Sequence, residues 1–267
     1  MNDERLQLPG LDLHLRAALR RPKAPGPLVI LVHGFKGFMD WGCWPWVAGE
    51  LAAAGYACLR FNFSHNGIGE DLQAFTELDR FQANTFSREV AELRAVIRAA
   101  ADLPGVDPGE VHLLGHSRGG AIALLASQGV RGVVTWSSLA ELDGLHGFKG
   151  REAAWRRKGF VEVKNARTGQ IMRLGSGLLE DWEAHRRDLD VTAALARFRV
   201  QGGAATAIHG AADTGVPLEH GLRLEAAGAR LVVIPEGDHT FGAAHPFQAD
   251  PPAPLRQALR ATLEALV

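Results

Sequence analysis

Residues 111–123 read VHLLGHSRGGAIA, the segment that says most about the architecture of this chain. Its pattern predicts a buried strand, a Gly-x-Ser-x-Gly turn and the alanine-rich start of a helix. A serine in so sharp a strand-to-helix turn has strained backbone angles, and side chains two residues to either side would collide. Gly115 and Gly119 remove those collisions. We therefore expect the hydroxyl of Ser117 to stand exposed above the sheet, where it would serve as a nucleophile.

A serine hydroxyl is a weak nucleophile and needs a neighbouring base, which is itself held by a carboxylate. Residues 208–217, IHGAADTGVP, place Asp213 after one predicted strand, and residues 235–241, PEGDHTF, place His239 after the next. The chain order Ser117, Asp213, His239 is typical of the α/β-hydrolase arrangement and differs from that of other serine protease folds. All three are expected beyond the carboxyl ends of parallel strands, where open α/β sheets bind ligands.

The stretch VHGFKG at residues 32–37 supplies a fourth element, directly after the first long apolar run. Gly34 lets the backbone turn so that the amide of Phe35 faces the serine. The amide of Arg118, at the start of the helix after the serine, is the second donor of a predicted oxyanion hole. His33 is expected to shape this loop rather than to act as a base.

Short apolar runs bounded by glycine or proline recur along the chain and predict strands buried on both faces. Helix-period stretches lie between them, notably at residues 85–101 and in the tail after Pro251-Pro252. Strands that alternate with helices predict a mostly parallel central sheet flanked by helices on both sides. Leu6 to Ala18 is expected to add antiparallel edge strands. The predicted parallel strands are Leu28–Val32, Ala57–Phe63, Val111–Leu114, Val133–Trp136, Thr206–Ile208 and Leu231–Ile234.

Residues 139–190 break this rhythm because they are far longer than a crossover in an α/β sheet requires. Alternating stretches at 160–164 and 170–174, around a glycine-containing turn, predict a β-hairpin. Helices are predicted on either side, at Glu152–Lys158 and Leu178–Arg187. Connections of this length are commonly lids or binding elements. We expect residues 139–190 to be an inserted lid on an α/β-hydrolase core formed by residues 1–138 and 191–267.

These motifs resemble those of serine hydrolases of the α/β-hydrolase superfamily in order and spacing, over nearly the whole chain. The inserted segment is similar, more weakly, to that of bacterial feruloyl and cinnamoyl esterases and dienelactone-hydrolase-like enzymes. The resemblance implies a two-step acyl transfer without a cofactor. In it Ser117 attacks a carbonyl, His239 relays the proton, Asp213 orients the imidazole, and water then releases the acid.

Other residues compete for these roles. His245 precedes a proline and is expected to anchor a loop, and His116 is expected to point away from the neighbouring serine and to pack or form hydrogen bonds. Asp238 adjoins His239 and could not easily reach around to its ring. Ser64, which follows another predicted strand, is expected in a loop near the pocket.

Several aromatic residues are candidates for binding substrate. Phe38 and Trp41 follow the predicted oxyanion loop, and Trp155, Phe160 and Trp182 belong to the predicted lid. The alternative for each is that it packs a helix against the sheet. Closing a lid over a site excludes water and strengthens the electrostatic interactions inside it.

Composition excludes several classes of protein. The chain has 267 residues, 46% of them hydrophobic, and a net charge of −1, so it carries no electrostatic footprint for nucleic acid or an anionic membrane. Cys43 and Cys58 are too few for a disulfide framework and lack the spacing of a metal site. We expect a cytoplasmic enzyme without metal or cofactor, acting on a small-molecule ester.

The predicted reaction is hydrolysis of carboxylic esters with small to medium acyl groups, aromatic ones among the candidates. A peptidase, amidase or thioesterase would use the same triad, because specificity lies in the pocket. A hydrolase-fold module that binds without catalysis is the remaining alternative. The sequence leaves the oligomeric state open.

Overall fold

A computed structural model describes residues 3–142 and 150–267 of the chain. Its strands are β1 (Glu4–Pro9), β2 (His14–Arg20), β3 (Gly26–Val32), β4 (Ala57–Phe61), β5 (Val106–His116), β6 (Gly132–Trp136), β7 (Phe160–Lys164), β8 (Ile171–Gly175), β9 (Ala204–Gly210) and β10 (Arg230–Ile234). Its helices are α1 (Trp44–Ala53), α2 (Leu78–Gln82), α3 (Phe86–Ala101), α4 (Arg118–Leu125), α5 (Glu152–Lys158), α6 (Gly177–Ala184), α7 (Val191–Val200), α8 (Glu219–Ala226) and α9 (Ala253–Ala265).

Eight of these strands form one sheet in the order β1-β2-β4-β3-β5-β6-β9-β10. The pairs β1/β2 and β2/β4 are antiparallel, and every other neighbouring pair is parallel. The predicted α/β-hydrolase fold is therefore confirmed, with the antiparallel strands at one edge. The parallel strands β3, β5, β6, β9 and β10 all end on the same side of the sheet. The loops that follow their carboxyl ends carry the predicted site residues.

Helices cover both faces of the sheet. On one face α1 and α9 pack on a cluster that includes Val29, Leu31 and Trp136. On the other face α3, α4 and α7 pack on a larger cluster that includes Ile30, Leu113 and Val133. Alternate residues of one strand thus pack in the two clusters on opposite faces of the sheet, which explains why the strands are apolar throughout.

The inserted segment contains the predicted hairpin, formed by the antiparallel strands β7 and β8. Two elements differ from the prediction: β8 is Ile171–Gly175 rather than 170–174, and α6 is Gly177–Ala184 rather than Leu178–Arg187. Its buried apolar side chains, Trp155 and Met172 among them, belong to the larger core cluster. Trp155 Nε1 donates to the Leu174 carbonyl at 3.1 Å, which ties α5 to β8. The segment therefore packs on the α/β core and shares its hydrophobic interior.

Membrane-spanning helices and clustered metal ligands are both absent from the described residues. Within residues 3–142 and 150–267, no helix combines the length and apolar character needed to cross a membrane. In the same ranges, no group of three or more His, Cys, Asp or Glu side chains is placed to hold a metal ion. Cys43 and Cys58 are buried free thiols.

Candidate active site

Ser117 occupies the turn between β5 and α4 and has φ 56° and ψ −124°. Positive φ is costly for a residue with a Cβ, so the surrounding structure must hold Ser117 in this conformation. A Cβ on Gly115 would lie 2.4 Å from the carbonyl oxygen of Gly119, and one on Gly119 would lie 2.3 Å from that of Val32. Both glycines are therefore required by close backbone approach. The predicted collisions exist, although part of the crowding comes from β3.

The side chains of Ser117, Asp213 and His239 meet at this edge of the sheet. His239 Nε2 lies 3.0 Å from Ser117 Oγ, and His239 Nδ1 lies 2.8 Å from Asp213 Oδ2. Asp213 follows β9 and His239 follows β10, so neighbouring parallel strands deliver acid and histidine to the same place. The serine hydroxyl can donate to Nε2 while Nδ1–H donates to the carboxylate.

The carboxylate of Asp213 is held on both oxygens. Oδ1 accepts the backbone amides of Gly215 and Val216, each at 2.8 Å, which leaves Oδ2 for the ring of His239. Burial favours the neutral carboxyl, but the hydrogen bonds from His239 and the Val216 amide outweigh it, and the pKa of Asp213 is lowered. The group is therefore ionised at neutral pH and fixed in orientation.

Asp238 and His245, the competing candidates for the acid and the base, form hydrogen bonds with other groups. Asp238 Oδ1 accepts the amides of Thr240 and Gly242, so its side chain closes the turn that carries His239. His245 Nδ1 accepts the Gly42 amide at 2.9 Å. Its ring therefore anchors the loop before α1.

Two further polar candidates are engaged elsewhere. His33 Nδ1–H donates to the Gly34 carbonyl at 2.9 Å, and burial lowers the pKa of His33 to about 4. Ser64 Oγ bonds the carboxylate of Glu92 and lies 2.6 Å from His65 Nδ1. Neither side chain is joined to the Ser117–His239 pair.

Two histidines support the site in ways that the sequence did not specify. His116 Nε2–H donates to the carbonyl oxygen of His239 at 2.7 Å, and burial, aided by His239, lowers the pKa of His116 to about 3. His209 Nε2–H donates to the Val216 carbonyl at 2.8 Å and lies 3.8 Å from Asp213 Oδ2. Their positions beside Ser117 and in the His-Gly pair of β9 are the only sequence signals for these contacts.

The loop after β3 passes directly against the serine. A Cβ on Gly34 would lie 3.0 Å from Ser117 Cβ and 2.9 Å from the His116 carbonyl oxygen. The amide of Phe35 therefore belongs to the residue next to this contact. Arg118 is the first residue of α4, where backbone amides are not used within the helix. The assignment of both amides as oxyanion donors remains a prediction.

A cavity of about 540 Å³ lies between the inserted segment and the core. Trp155 and Trp182 line it, together with Phe86 from α3 and residues at the start of α7. Ser117 is not among the described lining residues. Phe86 also lies near the side chain of Arg118, with its ring centre 5.4 Å from the guanidinium carbon.

The other predicted pocket residues lie outside the described lining of this cavity. Phe38 is fully buried against Phe75 and His245. Trp41 stacks on His245. Phe160 lies beside two cations of its own hairpin region, Lys158 and Arg173. Contact of these three aromatics with substrate remains a prediction.

The sheet order, the strained serine after β5, and the acid and histidine after β9 and β10 define the α/β-hydrolase fold. The sequence itself agrees: the model of the alpha/beta hydrolase family matches residues 29–258, and the chain belongs to that family.

Solved structures show the same architecture. A protein from Agrobacterium vitis S4 assigned as a hydrolase is 21% identical, with a TM-score of 0.74, over 100% of this chain and 99% of that one. Est1E from Butyrivibrio proteoclasticus, also solved with ferulic acid bound, is 19% identical with a TM-score of 0.66, over 98% and 95%. A protein from Klebsiella pneumoniae assigned as a dienelactone hydrolase is 17% identical with a TM-score of 0.62, over 99% and 98%. The resemblances stated from sequence are thereby confirmed at the level of fold.

Proposed function

We propose that this chain is a serine hydrolase that cleaves carboxylic esters through an acyl-enzyme intermediate. The observation that carries the proposal is the continuous relay from Ser117 Oγ through His239 to Asp213, with steps of 3.0 and 2.8 Å. The first distance suits proton transfer from a nucleophile to a general base, and the second suits a hydrogen bond by which a carboxylate orients that base.

The first half of the reaction forms the acyl enzyme. Ser117 Oγ bonds to the carbonyl carbon of the ester while its proton passes to His239 Nε2. The carbonyl oxygen becomes negative and is held by the amides of Phe35 and Arg118. The intermediate then collapses and expels the alcohol, which takes the proton from His239.

The second half repeats these steps with water. Water gives a proton to His239 as its oxygen bonds to the acyl carbon, and the acid leaves when the proton returns to Ser117 Oγ. Asp213, ionised and held by two backbone amides, stabilises the imidazolium at each stage and keeps Nδ1 protonated. No redox step is involved.

The cavity supports the choice of acyl group. Its volume of about 540 Å³ falls in the range of small-molecule sites. Phe86, Trp155 and Trp182 give part of its wall flat apolar surfaces, and charged side chains such as Glu152 and Arg186 form the rest. We assign residues 139–190 the role of a lid that covers the acyl group of small to medium esters, aromatic ones included.

The test compares wild type with Ser117→Ala on p-nitrophenyl acetate and butyrate. Wild type should release p-nitrophenol with an initial burst and should lose activity when an organophosphonate labels Ser117. Ser117→Ala should lose both activity and label while keeping the thermal midpoint. Unchanged turnover by Ser117→Ala would refute the mechanism. Labelling without ester turnover, followed by cleavage of amides or thioesters in a substrate panel, would assign the same site to those bonds.

A further inference from the structure

The side chain of Arg118 is buried although its backbone lies beside the reacting groups. It is 3% exposed, and its guanidinium donates to Glu89 Oε1 at 3.2 Å. Its guanidinium carbon also lies 4.2 Å from the centre of the Phe35 ring. One side chain thus joins α3 to the residue whose amide is the other proposed oxyanion donor.

Stability alone explains this ion pair poorly. Burial raises the pKa of Glu89 and lowers the pKa of Arg118, because the loss of water disfavours the charged form of each side chain. Asn84 Nδ2 donates to Glu89 Oε1 at 2.7 Å, but Glu89 Oε2 has no hydrogen-bond partner among the described residues. Replacing a buried ion pair by apolar side chains of similar volume is often neutral or stabilising.

The turn at residues 34–37 needs support from outside itself. Lys36 has φ 56°, a conformation that a residue with a side chain adopts only where its surroundings hold it. Within the turn the Gly37 amide donates to the Gly34 carbonyl at 3.0 Å. Lys36 Nζ donates to the Lys164 carbonyl at 3.1 Å, and Asn66 Nδ2 lies 3.5 Å from the Gly37 carbonyl oxygen. Beside Ser117, the ring of Phe35 adds contacts with the guanidinium of Arg118 and with the ring of Phe81, stacked at 5.7 Å.

We infer that Glu89 and the side chain of Arg118 act together as positioning residues for the oxyanion hole. Glu89 fixes the guanidinium of Arg118, the guanidinium fixes the ring of Phe35, and the ring fixes the Phe35 amide beside Ser117. The inference rests on the proposed function. It assigns a role to a carboxylate on α3 that touches neither substrate nor a reacting atom.

A displaced amide has a distinct kinetic signature. Negative charge develops on the carbonyl oxygen only as Ser117 attacks. A misplaced donor therefore stabilises the transition state less and leaves the affinity for substrate nearly unchanged. Complete loss of one donor lowers kcat by roughly 10²- to 10³-fold. For a donor that is displaced but present we expect a loss of about 10- to 100-fold in kcat, with KM within about twofold.

The double variant Glu89→Leu with Arg118→Met removes both charges and keeps the volume and the amide of residue 118. The matched control is Arg94→Met. Arg94 also joins α3 to α4, through the Leu125 carbonyl at 3.0 Å, but this contact lies away from the 34–37 turn. Kinetics on p-nitrophenyl butyrate and thermal midpoints are measured for each. The double variant should stay folded and lose kcat, and the control should keep the wild-type kcat.

Phe35→Leu gives an independent test, because it removes the ring without touching the buried pair. It should lower kcat alone by about as much as the double variant does, and the combined triple variant should show little further loss, since all act through one contact. If the double variant does not fold, Phe35→Leu decides.

A wild-type kcat in the folded double variant, or in Phe35→Leu, would overturn the inference. Failure of the proposed function is distinct, because wild type itself would then show neither ester turnover nor labelling at Ser117.

Discussion

Replacing Asp213 by asparagine tests the relay at the residue whose surroundings are best defined. Oδ1 of Asp213 accepts two backbone amides, from Gly215 and Val216, so the asparagine carbonyl must take that place. Its NH₂ group then faces His239 Nδ1, where the carboxylate now accepts at 2.8 Å. The ring must therefore accept at Nδ1 and carry its proton on Nε2. A protonated Nε2 cannot take the proton of Ser117.

The magnitude follows from the cost of avoiding this arrangement. Turning the amide over would place NH₂ against the two backbone N–H donors, and each unsatisfied buried donor costs about 1–3 kcal/mol. At about 2–6 kcal/mol for the pair, fewer than roughly one molecule in 30 escapes the wrong tautomer. We expect kcat to fall by about 10³- to 10⁴-fold with KM changed little.

The assay is steady-state hydrolysis of p-nitrophenyl butyrate, with the thermal midpoint as the measure of folding. Asp238→Asn is the matched control, because Asp238 adjoins His239 and its Oδ1 accepts the amides of Thr240 and Gly242. An asparagine carbonyl there can accept the same amides, so kcat should stay within about threefold of wild type. A loss of less than tenfold in kcat for Asp213→Asn would show that the acid has been misassigned. A loss in kcat for Asp238→Asn that exceeds the loss for Asp213→Asn would show the same.

Three other outcomes are expected. Gly119→Ala should cost at least about 2 kcal/mol of unfolding free energy in urea titrations, because its Cβ would lie 2.3 Å from the Val32 carbonyl oxygen. His33, whose pKa burial lowers to about 4, takes up its proton more readily when unfolded, near pH 6.5. The stability it contributes is complete above pH 6.5 and falls by about 1 kcal/mol per pH unit between pH 6 and 4; His33→Gln should show a shallower decline over that range, and an equal slope would contradict the assignment. Trp182→Ala should lower kcat/KM for cinnamoyl esters about tenfold relative to acetate, whereas Phe160→Ala, outside the described cavity lining, should not.

Local chemistry made the core of the fold and the meeting of Ser117, Asp213 and His239 predictable. The glycines around Ser117 are required by contacts within one short turn, so residues 111–123 carry the information themselves. Asp213 and His239 follow successive strands, and neighbouring parallel strands end at the same edge. The hairpin of the insert was equally local, because its alternation and its turn lie within residues 160–175.

The short helices α2 and α8, which bury few side chains, were not predicted. In α8 only Gly221 and Leu224 are buried, which leaves almost no apolar period, and α2 is a single short turn of Leu78–Gln82. The strand β5 begins at Val106, earlier than the predicted Val111, because Gly26 pairs with Val106 across an irregularity in register. These features depend on tertiary contacts that leave no periodic signal.

The Glu89–Arg118 pair illustrates the same limit within the site. Arg118 stands in the most informative stretch of the chain, but its partner lies on another helix, and nothing near Glu89 distinguishes it from the other charged residues of α3. The sequence places the backbone amide of Arg118 at the start of α4, because that follows from the turn. The direction of its side chain depends on how α3 packs.

The two residues that flank Ser117 connect the site to opposite faces of the sheet. His116 donates to the His239 carbonyl and packs near Trp44, in the cluster beneath α1 and α9. Arg118 bonds Glu89 and packs near Phe86, in the cluster beneath α3 and α4. The first contact holds the backbone of His239, the proposed base, and the second supports the proposed oxyanion loop. Repacking the α1 face should therefore disturb proton transfer through His239, whereas repacking the α3 face should disturb stabilisation of the oxyanion, although neither face contains a reacting atom.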